Sequence, residues 1–316
     1  MKQPPAATGK RRILQVRHVT RYTYDRPVER SSHVLHLRPV HDLYQRPKEF
    51  DLKVTPELPV VEYEDVFGNW TGRFEVVQPY TELVIRADAT VELLDVDPFA
   101  FAKAPIRPSF PVVWMPWENK MLAPYLVPDE LPETQLRELS EYAMGFASRN
   151  DGDLMETLFA INLEMFRQYQ YVPGSTNLST TAFDVFTAKK GVCQDFANLF
   201  ICMARLLGIP ARYVCGYIYT GNTRDSRAGS DASHAWVQLY IPNVGWKGFD
   251  PTNGVLACTD HVRVAWGRNY KDVTPTAGTL YSPANEFMMI DVEVKEPNAA
   301  APAPAPPLLR QPPQPN

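Results

Sequence analysis

The sequence predicts an α+β fold in which an N-terminal antiparallel β-sandwich precedes a unit of helices packed on an antiparallel sheet. Residues 13–95 consist of short β-rich runs separated by turn signals. Residues 133–207 then carry two apolar stripes at helical spacing and one almost wholly apolar helix. Further β-rich runs follow from position 212 onward, so strands flank the helical stretch on both sides in the sequence.

The composition is that of a folded protein with substantial hydrophobic cores. The chain has 316 residues, 45% hydrophobic and 11% aromatic, which allows one large or two ordinary domains. A net charge of -4, from 32 basic and 36 acidic residues mixed along the chain, predicts neither a nucleic-acid partner nor a membrane partner. The four cysteines form no C-x-x-C pair, and no apolar run has the length of a signal-peptide core or a membrane span. We therefore expect a cytoplasmic protein.

The first unit, residues 13–95, is predicted to be the β-sandwich. Turn signals at 25–27 and 67–69 separate runs that alternate at period two. Three histidines in this unit, His33, His36 and His41, lack the cysteine or carboxylate pattern of a metal site, and we expect no metal here. The predicted strands are 13–24, 34–38, 49–54, 60–63, 71–77 and 83–94.

A second unit, residues 133–295, is predicted to be a core of helices packed on an antiparallel sheet. The connection to it, residues 96–132, carries eight prolines and two tryptophans, and we expect it to be ordered because flexible linkers seldom contain tryptophan. The two chain ends, residues 1–12 and 296–316, are predicted to be disordered. The helical stripes are Leu136, Leu139, Ala143 and Phe146, then Leu154, Leu158, Ile161 and Met165, and the later strands are 212–219, 234–241, 246–250, 262–265 and 286–294.

Residues 189–198 predict a reactive thiol at the start of a buried helix. Gly191 allows a sharp turn, and Cys193 then falls on the first helical turn. The unpaired backbone N–H groups and the dipole at a helix N-terminus favour a thiolate. The other cysteines in this region, Cys202 and Cys215, are predicted to be packing residues, because Cys202 lies about 180° around the helix and Cys215 lies inside a strand.

A thiol nucleophile needs a base, and the base needs a group that orients it. His234 begins a strand with clean alternation, and Asp250 ends the strand predicted to pair with it in a hairpin. Both side chains lie on one face only if paired positions sum to an even number, which requires a connection of three or five residues, or a bulge. Taken singly, these residues also suit plain structural roles: a packed cysteine, a core histidine and a turn aspartate.

Four sequence blocks carry a family resemblance. They are GVCQDFA (191–197), LGIPARYV (207–214), SHAWV (233–237) and GWKGFDPTN (245–253). In this order they closely resemble the bacterial transglutaminase-like proteins, which are often described as candidate cysteine proteases. Residues 19–28 resemble that family's N-terminal β domain, and residues 260–273 resemble the segment after its core. The resemblance implies a papain-like core with a catalytic triad of Cys193, His234 and Asp250.

The expected reaction is acyl transfer on an amide or peptide bond of a peptide or protein substrate, with no cofactor and no metal. Hydrolysis is expected ahead of transglutaminase-type amine transfer, because water is always present as an acceptor. The alternative is a catalytically idle module that binds peptides in the same cleft. The sequence leaves the oligomeric state open.

Overall fold

The structure, a computed structural model, describes residues 11–94, 107–177, 179–221 and 233–297. It confirms the α+β class, with antiparallel sheets and five α-helices in the described residues. The helices are α1 Pro116–Leu122, α2 Glu133–Arg149, α3 Leu154–Gln168, α4 Ala182–Ala188 and α5 Cys193–Leu206. The strands are β1 Arg11–Val28, β2 Ser31–Leu35, β3 Gln45–Thr55, β4 Val61–Glu64, β5 Trp70–Val76, β6 Tyr80–Leu94, β7 Gln170–Tyr171, β8 Lys190–Gly191, β9 Ala211–Ile218, β10 His234–Ile241, β11 Gly245–Asp250, β12 Val255–Leu256, β13 His261–Gly267, β14 Thr276–Leu280 and β15 Glu286–Lys295.

Two four-stranded sheets form the sandwich. One sheet has the order β15-β1-β6-β3 and the other has the order β14-β2-β5-β4. Apolar side chains from both sheets, including Leu35, Phe74 and Ile85, share one buried cluster between them. The period-two alternation of the sequence thus predicts the buried face of the strands β1, β5 and β6, as expected for a sheet with one face in a core.

The predicted boundaries of the two units need a correction at the C-terminal end. Strands β14 and β15 lie within the range assigned to the catalytic core, but β14 pairs with β2 and β15 pairs with β1, so both complete the sandwich. A strand's sequence pattern predicts which residues lie on each of its faces, but it does not predict the strand with which it pairs. The prediction of a strand at 286–294 is therefore confirmed, whereas its assignment to the core is wrong. At the other end, Arg11 and Arg12 already belong to β1. The described residues do not include the rest of the predicted N-terminal segment, residue 95 of the predicted sandwich, residues 96–106 of the connection or residues 298–316.

The second unit packs its helices on a five-stranded sheet of order β12-β11-β10-β9-β13. The centre of this unit is α5, in which Phe196, Leu199 and Phe200 are at most 2% exposed. The same core continues onto the sandwich, because Leu14 of β1 and Val91 of β6 belong to it. The long β1–β6 pair therefore joins the two units through one hydrophobic core.

The connecting segment is anchored where the structure describes it. The indole N–H of Trp114 donates to the backbone oxygen of Gly208, at the end of α5, at 2.9 Å. The two apolar stripes form α2 and α3, as predicted, and a capping box of Thr181 with Asp184 begins α4. Within the described ranges, no helix is long and apolar enough to cross a membrane.

Candidate active site

Cys193 is the first residue of α5, and the surrounding backbone fixes its position. Asp195 is buried and accepts hydrogen bonds from the backbone N–H of Val192 and the hydroxyl of Thr176, both at 2.7 Å. A Cβ atom at Gly191 would lie 2.8 Å from the Asp195 Cβ, so this close approach requires glycine. The Cys193 side chain is 9% exposed. The thiol therefore stands at a rigid helix start with a narrow opening to solvent.

The buried cysteines Cys202 and Cys215 have a different chemical environment. Burial raises the pKa of each thiol to about 12, and neither sulfur lies at a helix N-terminus. Both therefore remain protonated at neutral pH, as expected for packing residues. All four cysteines of the chain are free thiols.

The hairpin of β10 and β11 meets the register condition. Val237 pairs with Phe249 and Ile241 pairs with Gly245, so paired positions sum to an even number and a three-residue connection, 242–244, joins the strands. His234 and Asp250 consequently project to the same face. Nε2 of His234 lies 2.9 Å from Oδ2 of Asp250, and both side chains are fully buried.

Electrostatic interactions within this pair favour the charged form of each partner. Burial by itself lowers the pKa of His234, but the charge and hydrogen bond of Asp250, together with the Cys193 thiol, outweigh it and raise that pKa to about 10. Burial likewise opposes ionisation of Asp250, yet the contacts with His234 and His261 hold the pKa of its carboxyl well below the usual range. An imidazolium beside a carboxylate is therefore the stable state of the pair.

The two ring nitrogens of His234 have different surroundings. Nε2 is engaged by Asp250, whereas Nδ1 is buried and forms no hydrogen bond with the described residues. Catalytic hydrogen bonds are often long before substrate binds. Because Cys193 acts on the ring strongly enough to raise its pKa, Nδ1 is the nitrogen that remains for the sulfur.

Asp250 serves a turn and a histidine at the same time. Its Oδ1 accepts the backbone N–H groups of Thr252 at 3.0 Å and Asn253 at 3.2 Å, as in an Asx-turn. Its Oδ2 faces His234 and accepts the side-chain amide of Asn253 at 2.8 Å. Oδ1 of Asp250 therefore stabilises the turn, while Oδ2 contacts both the Asn253 amide and His234.

Sequence reasoning missed two residues of this cluster, His261 and Trp236. Nε2 of His261 lies 3.1 Å from Oδ2 of Asp250, the oxygen that also contacts His234. The Trp236 indole stacks on the His234 ring with a centroid separation of 5.9 Å. Two glycines make room for it, since a Cβ at Gly216 would lie 2.7 Å from the indole and one at Gly248 would lie 3.4 Å from its Nε1.

No sequence signal assigns His261 to the site. The strand that it begins, β13, pairs with β9 and lies on the far side of β10 from β11, which carries Asp250. Contact between residues on strands three positions apart depends on the twist of the sheet and on full burial, and spacing along the chain encodes neither.

The donor atoms of His234, Asp250 and His261 lie within 4.8 Å of one another, so their fit to a metal ion needs testing. A metal bound by both Nε2 atoms would move both ring protons to Nδ1. Both Nδ1 atoms are buried without a hydrogen-bond partner among the described residues, whereas metal-bound histidines normally donate that N–H to an acceptor. Hydrogen bonds from Nε2–H to the carboxylate account for the cluster better. His33, His36 and His41 belong to no such cluster in the part of the chain that the structure describes.

Comparison with known proteins places this geometry in a family. The family model described as the transglutaminase-like superfamily matches residues 141–251, and that of the bacterial transglutaminase-like N-terminal region matches residues 14–92. An uncharacterized protein of Mycobacterium tuberculosis is 32% identical over 295 residues, which span 89% of this chain and 91% of that protein. A protein-glutamine gamma-glutamyltransferase of Pseudomonas aeruginosa is 32% identical over 108 residues, which span 31% of this chain and 16% of that protein.

A solved structure supports the fold independently. The crystal structure of a candidate cysteine protease from Cytophaga hutchinsonii superposes with a TM-score of 0.73 and covers 93% of each chain. Its sequence identity of 23% makes this a likeness of fold alone. The expected resemblance is thereby confirmed over both units, and the chain belongs to the transglutaminase-like superfamily.

Proposed function

We propose that this protein catalyses thiol-dependent acyl transfer on amide or peptide bonds, with Cys193 as nucleophile, His234 as base and acid, and Asp250 as the residue that orients His234. One observation carries the proposal. Nε2 of His234 lies 2.9 Å from Asp250 Oδ2, while Nδ1 of the same buried ring has no hydrogen-bond partner among the residues that the structure describes. Members of the superfamily to which the chain belongs are typically enzymes, which supports a catalytic use of this arrangement.

The resting state is an ion pair. The Cys193 proton moves to Nδ1 of His234, and the imidazolium is stabilised by the Asp250 carboxylate on the other side of the ring. The dipole and unpaired N–H groups of the first turn of α5 stabilise the thiolate. The nucleophile is thus generated within the site, with His234 as the proton acceptor and without an external base.

Acylation then follows in one addition and one elimination. The thiolate forms a bond to the carbonyl carbon, and the oxyanion accepts the backbone N–H of Cys193, which as the first helical residue has no intrahelical acceptor. As the carbon–nitrogen bond breaks, the Nδ1 proton of His234 passes to the leaving amine. The products are the free amine and a thioester on Cys193.

Deacylation decides the overall reaction. His234, now neutral, takes a proton from water or from an amine, whose oxygen or nitrogen attacks the thioester and releases the Cys193 thiolate. Water gives hydrolysis and an amine gives transamidation. We propose hydrolysis as the main outcome, since water is always present, while the name of the Pseudomonas aeruginosa relative supports amine transfer as the second.

A catalytically idle peptide-binding module is the competing function, and one observation favours it. The Cys193 side chain is only 9% exposed, and His234 and Asp250 are fully buried, so a substrate carbonyl has a narrow approach. Against this stands the cost of burial: charged groups are seldom kept in a core unless they are paired and used. The two functions predict different results for the wild-type protein, which forms product only if it is an enzyme.

The experiment is mass spectrometry of a peptide pool incubated with the wild-type protein and with Cys193→Ala. Cys258→Ala is the matched control, because Cys258 is a half-buried thiol on the loop before β13. New termini or deamidated glutamines show hydrolysis, and a mass increase from an added primary amine shows transamidation. Products from wild type and Cys258→Ala, with none from Cys193→Ala, are expected. Binding of peptides without any product from the wild-type protein would support the idle module.

The expected cytoplasmic location and the absence of nucleic-acid or membrane partners stay predictions. A peptide or protein substrate is part of the proposal itself.

A further inference from the structure

His261 is a buried histidine whose ring has one polar contact among the described residues. Its side chain is fully buried, and Nε2 lies 3.1 Å from Oδ2 of Asp250. Burying a polar ring costs free energy unless its groups are hydrogen-bonded, so a position with a packing role alone would favour an apolar residue. Its neighbours in the same strand, Val262 and Val264, are such residues.

The contact falls on the oxygen that matters for the proposed reaction. Oδ2 of Asp250 accepts hydrogen bonds from His234 at 2.9 Å, His261 at 3.1 Å and the Asn253 amide at 2.8 Å. Three donors on one oxygen share its negative charge. A second donor on Oδ2 therefore weakens the hydrogen bond between the carboxylate and the His234 proton.

We propose that His261 is a positioning residue that shares Asp250 Oδ2 with His234 and thereby limits how tightly the carboxylate holds the imidazolium. The inference rests on the proposed function. Too strong a hold would make His234 a poor acid toward the leaving amine, because proton transfer slows as the donor becomes less acidic. By sharing Oδ2, His261 keeps the acidity of the His234 imidazolium in a range where His234 can both accept a proton and return it.

The protonation state of His261 fits this role. Burial, followed by the charge of His234, lowers the pKa of His261 even though Asp250 and Asp260 act in the opposite direction. The ring is therefore neutral at physiological pH, carries its proton on Nε2 toward Asp250, and adds no competing positive charge. The groups that act on His234 in turn are Asp250 and Cys193.

Asp250 keeps its place without His261. Its Oδ1 remains bound to two backbone N–H groups, and Oδ2 retains His234 and the Asn253 amide. Loss of the His261 donor should therefore change the charge on Oδ2 and not the position of the carboxylate. The predicted consequence is a proton held more firmly on His234.

The test compares His261→Gln with His261→Asn. A glutamine amide nitrogen reaches the position of the histidine Nε2, whereas an asparagine amide is one methylene too short to reach Asp250. His33→Leu is the control for loss of a buried histidine, because His33 lies in the sandwich core, 3% exposed, with Nε2 2.8 Å from the Ser31 hydroxyl. The readout is the rate of iodoacetamide alkylation at Cys193 between about pH 5 and 11.5, followed by mass spectrometry.

Alkylation of an ion-paired thiolate changes rate again when the imidazolium loses its proton, and this alkaline step reports on His234. The free energy of a hydrogen bond to a charged group is equivalent to a pKa shift of about one unit. We expect His261→Asn to move the alkaline step upward by about that amount, with His261→Gln and His33→Leu at the wild-type position. Equal positions of the step in the glutamine and asparagine variants, or a downward move in the asparagine variant, would overturn the inference. A wild-type protein with no alkaline step would overturn the proposed function as well, so the two failures differ.

Discussion

Asp250→Asn tests whether the two oxygens of Asp250 have different roles, Oδ1 in the turn and Oδ2 at His234. If the asparagine oxygen keeps the turn, accepting from Thr252 and Asn253, the new amide replaces Oδ2 and faces His234, His261 and the Asn253 amide. Three donors then lose their acceptor. His234 can adapt by moving its proton to Nδ1, but this tautomer cannot take the proton of Cys193.

The structure gives the magnitudes. A buried polar group left without a partner costs about 1–3 kcal/mol, and more than one donor is affected, so we expect a folded variant with a free energy of unfolding lower by at least about this amount. The rate of acylation should fall by ~10²- to 10⁴-fold, because the required tautomer and the stabilised imidazolium are both lost. A turn residue with no catalytic role would instead accept asparagine with little change in either quantity.

The assay combines thermal unfolding with single-turnover acylation by a peptide identified in the pool experiment. Asp184→Asn is the matched control: Asp184 also accepts a backbone N–H, that of Thr181 at 2.9 Å, but lies in the capping box of α4 away from the site. The control should retain wild-type acylation. Acylation by Asp250→Asn at near the wild-type rate would remove Asp250 from the catalytic group.

Three further predictions concern Gly216, the pH dependence that His234 confers and the C-terminal residues 298–316. Gly216→Ala should destabilise the protein by at least about 3 kcal/mol in a denaturant titration, because the new Cβ would lie 2.0 Å from the Val262 carbonyl oxygen. Gly145→Ala is the control and should not destabilise the protein, because the nearest atom to its Cβ would be 3.8 Å away. The pKa of His234 is raised, since Asp250 and Cys193 outweigh burial, so the stability contributed by the charge on His234 is complete below pH 6.5 and is lost as pH rises toward about 10. The basic limb of kcat/KM should likewise lie above the range of free imidazole, and a limb near 6.5 would contradict this. Removing residues 298–316 should leave the melting temperature unchanged, because β15 ends at Lys295, and a fall of several degrees would refute it.

Much of the fold follows from local patterns. The strand alternation and the two helical stripes are local features, and they predict strands and helices that the structure contains. The even register of the β10–β11 hairpin was a condition that the sequence left open, and the structure meets it. The pairing of β14 and β15 with the sandwich is not local, since β15 begins at Glu286 and its partner β1 ends at Val28. The C-terminal boundary of the core was therefore wrong although β15 itself was predicted.

The candidate site divides in the same way. Cys193, His234 and Asp250 could be predicted because a helix start, a strand start and a hairpin end each leave a mark in the sequence. The contact of His261 with Asp250 comes from three-dimensional packing across a sheet, and a single sequence holds no signal for it. The same holds for Trp236, whose place depends on the absence of side chains at Gly216 and Gly248 on the neighbouring strands.

The most direct test of the central claim is the alkylation rate of each cysteine at about pH 6.5, where an ordinary thiol is almost entirely protonated. We predict that Cys193 reacts at least about tenfold faster than the half-buried Cys258, despite its lower exposure, and that His234→Ala removes this advantage. Equal rates at Cys193 and Cys258 in the wild-type protein, or an unchanged Cys193 rate in His234→Ala, would contradict an imidazole-activated thiolate at the start of α5.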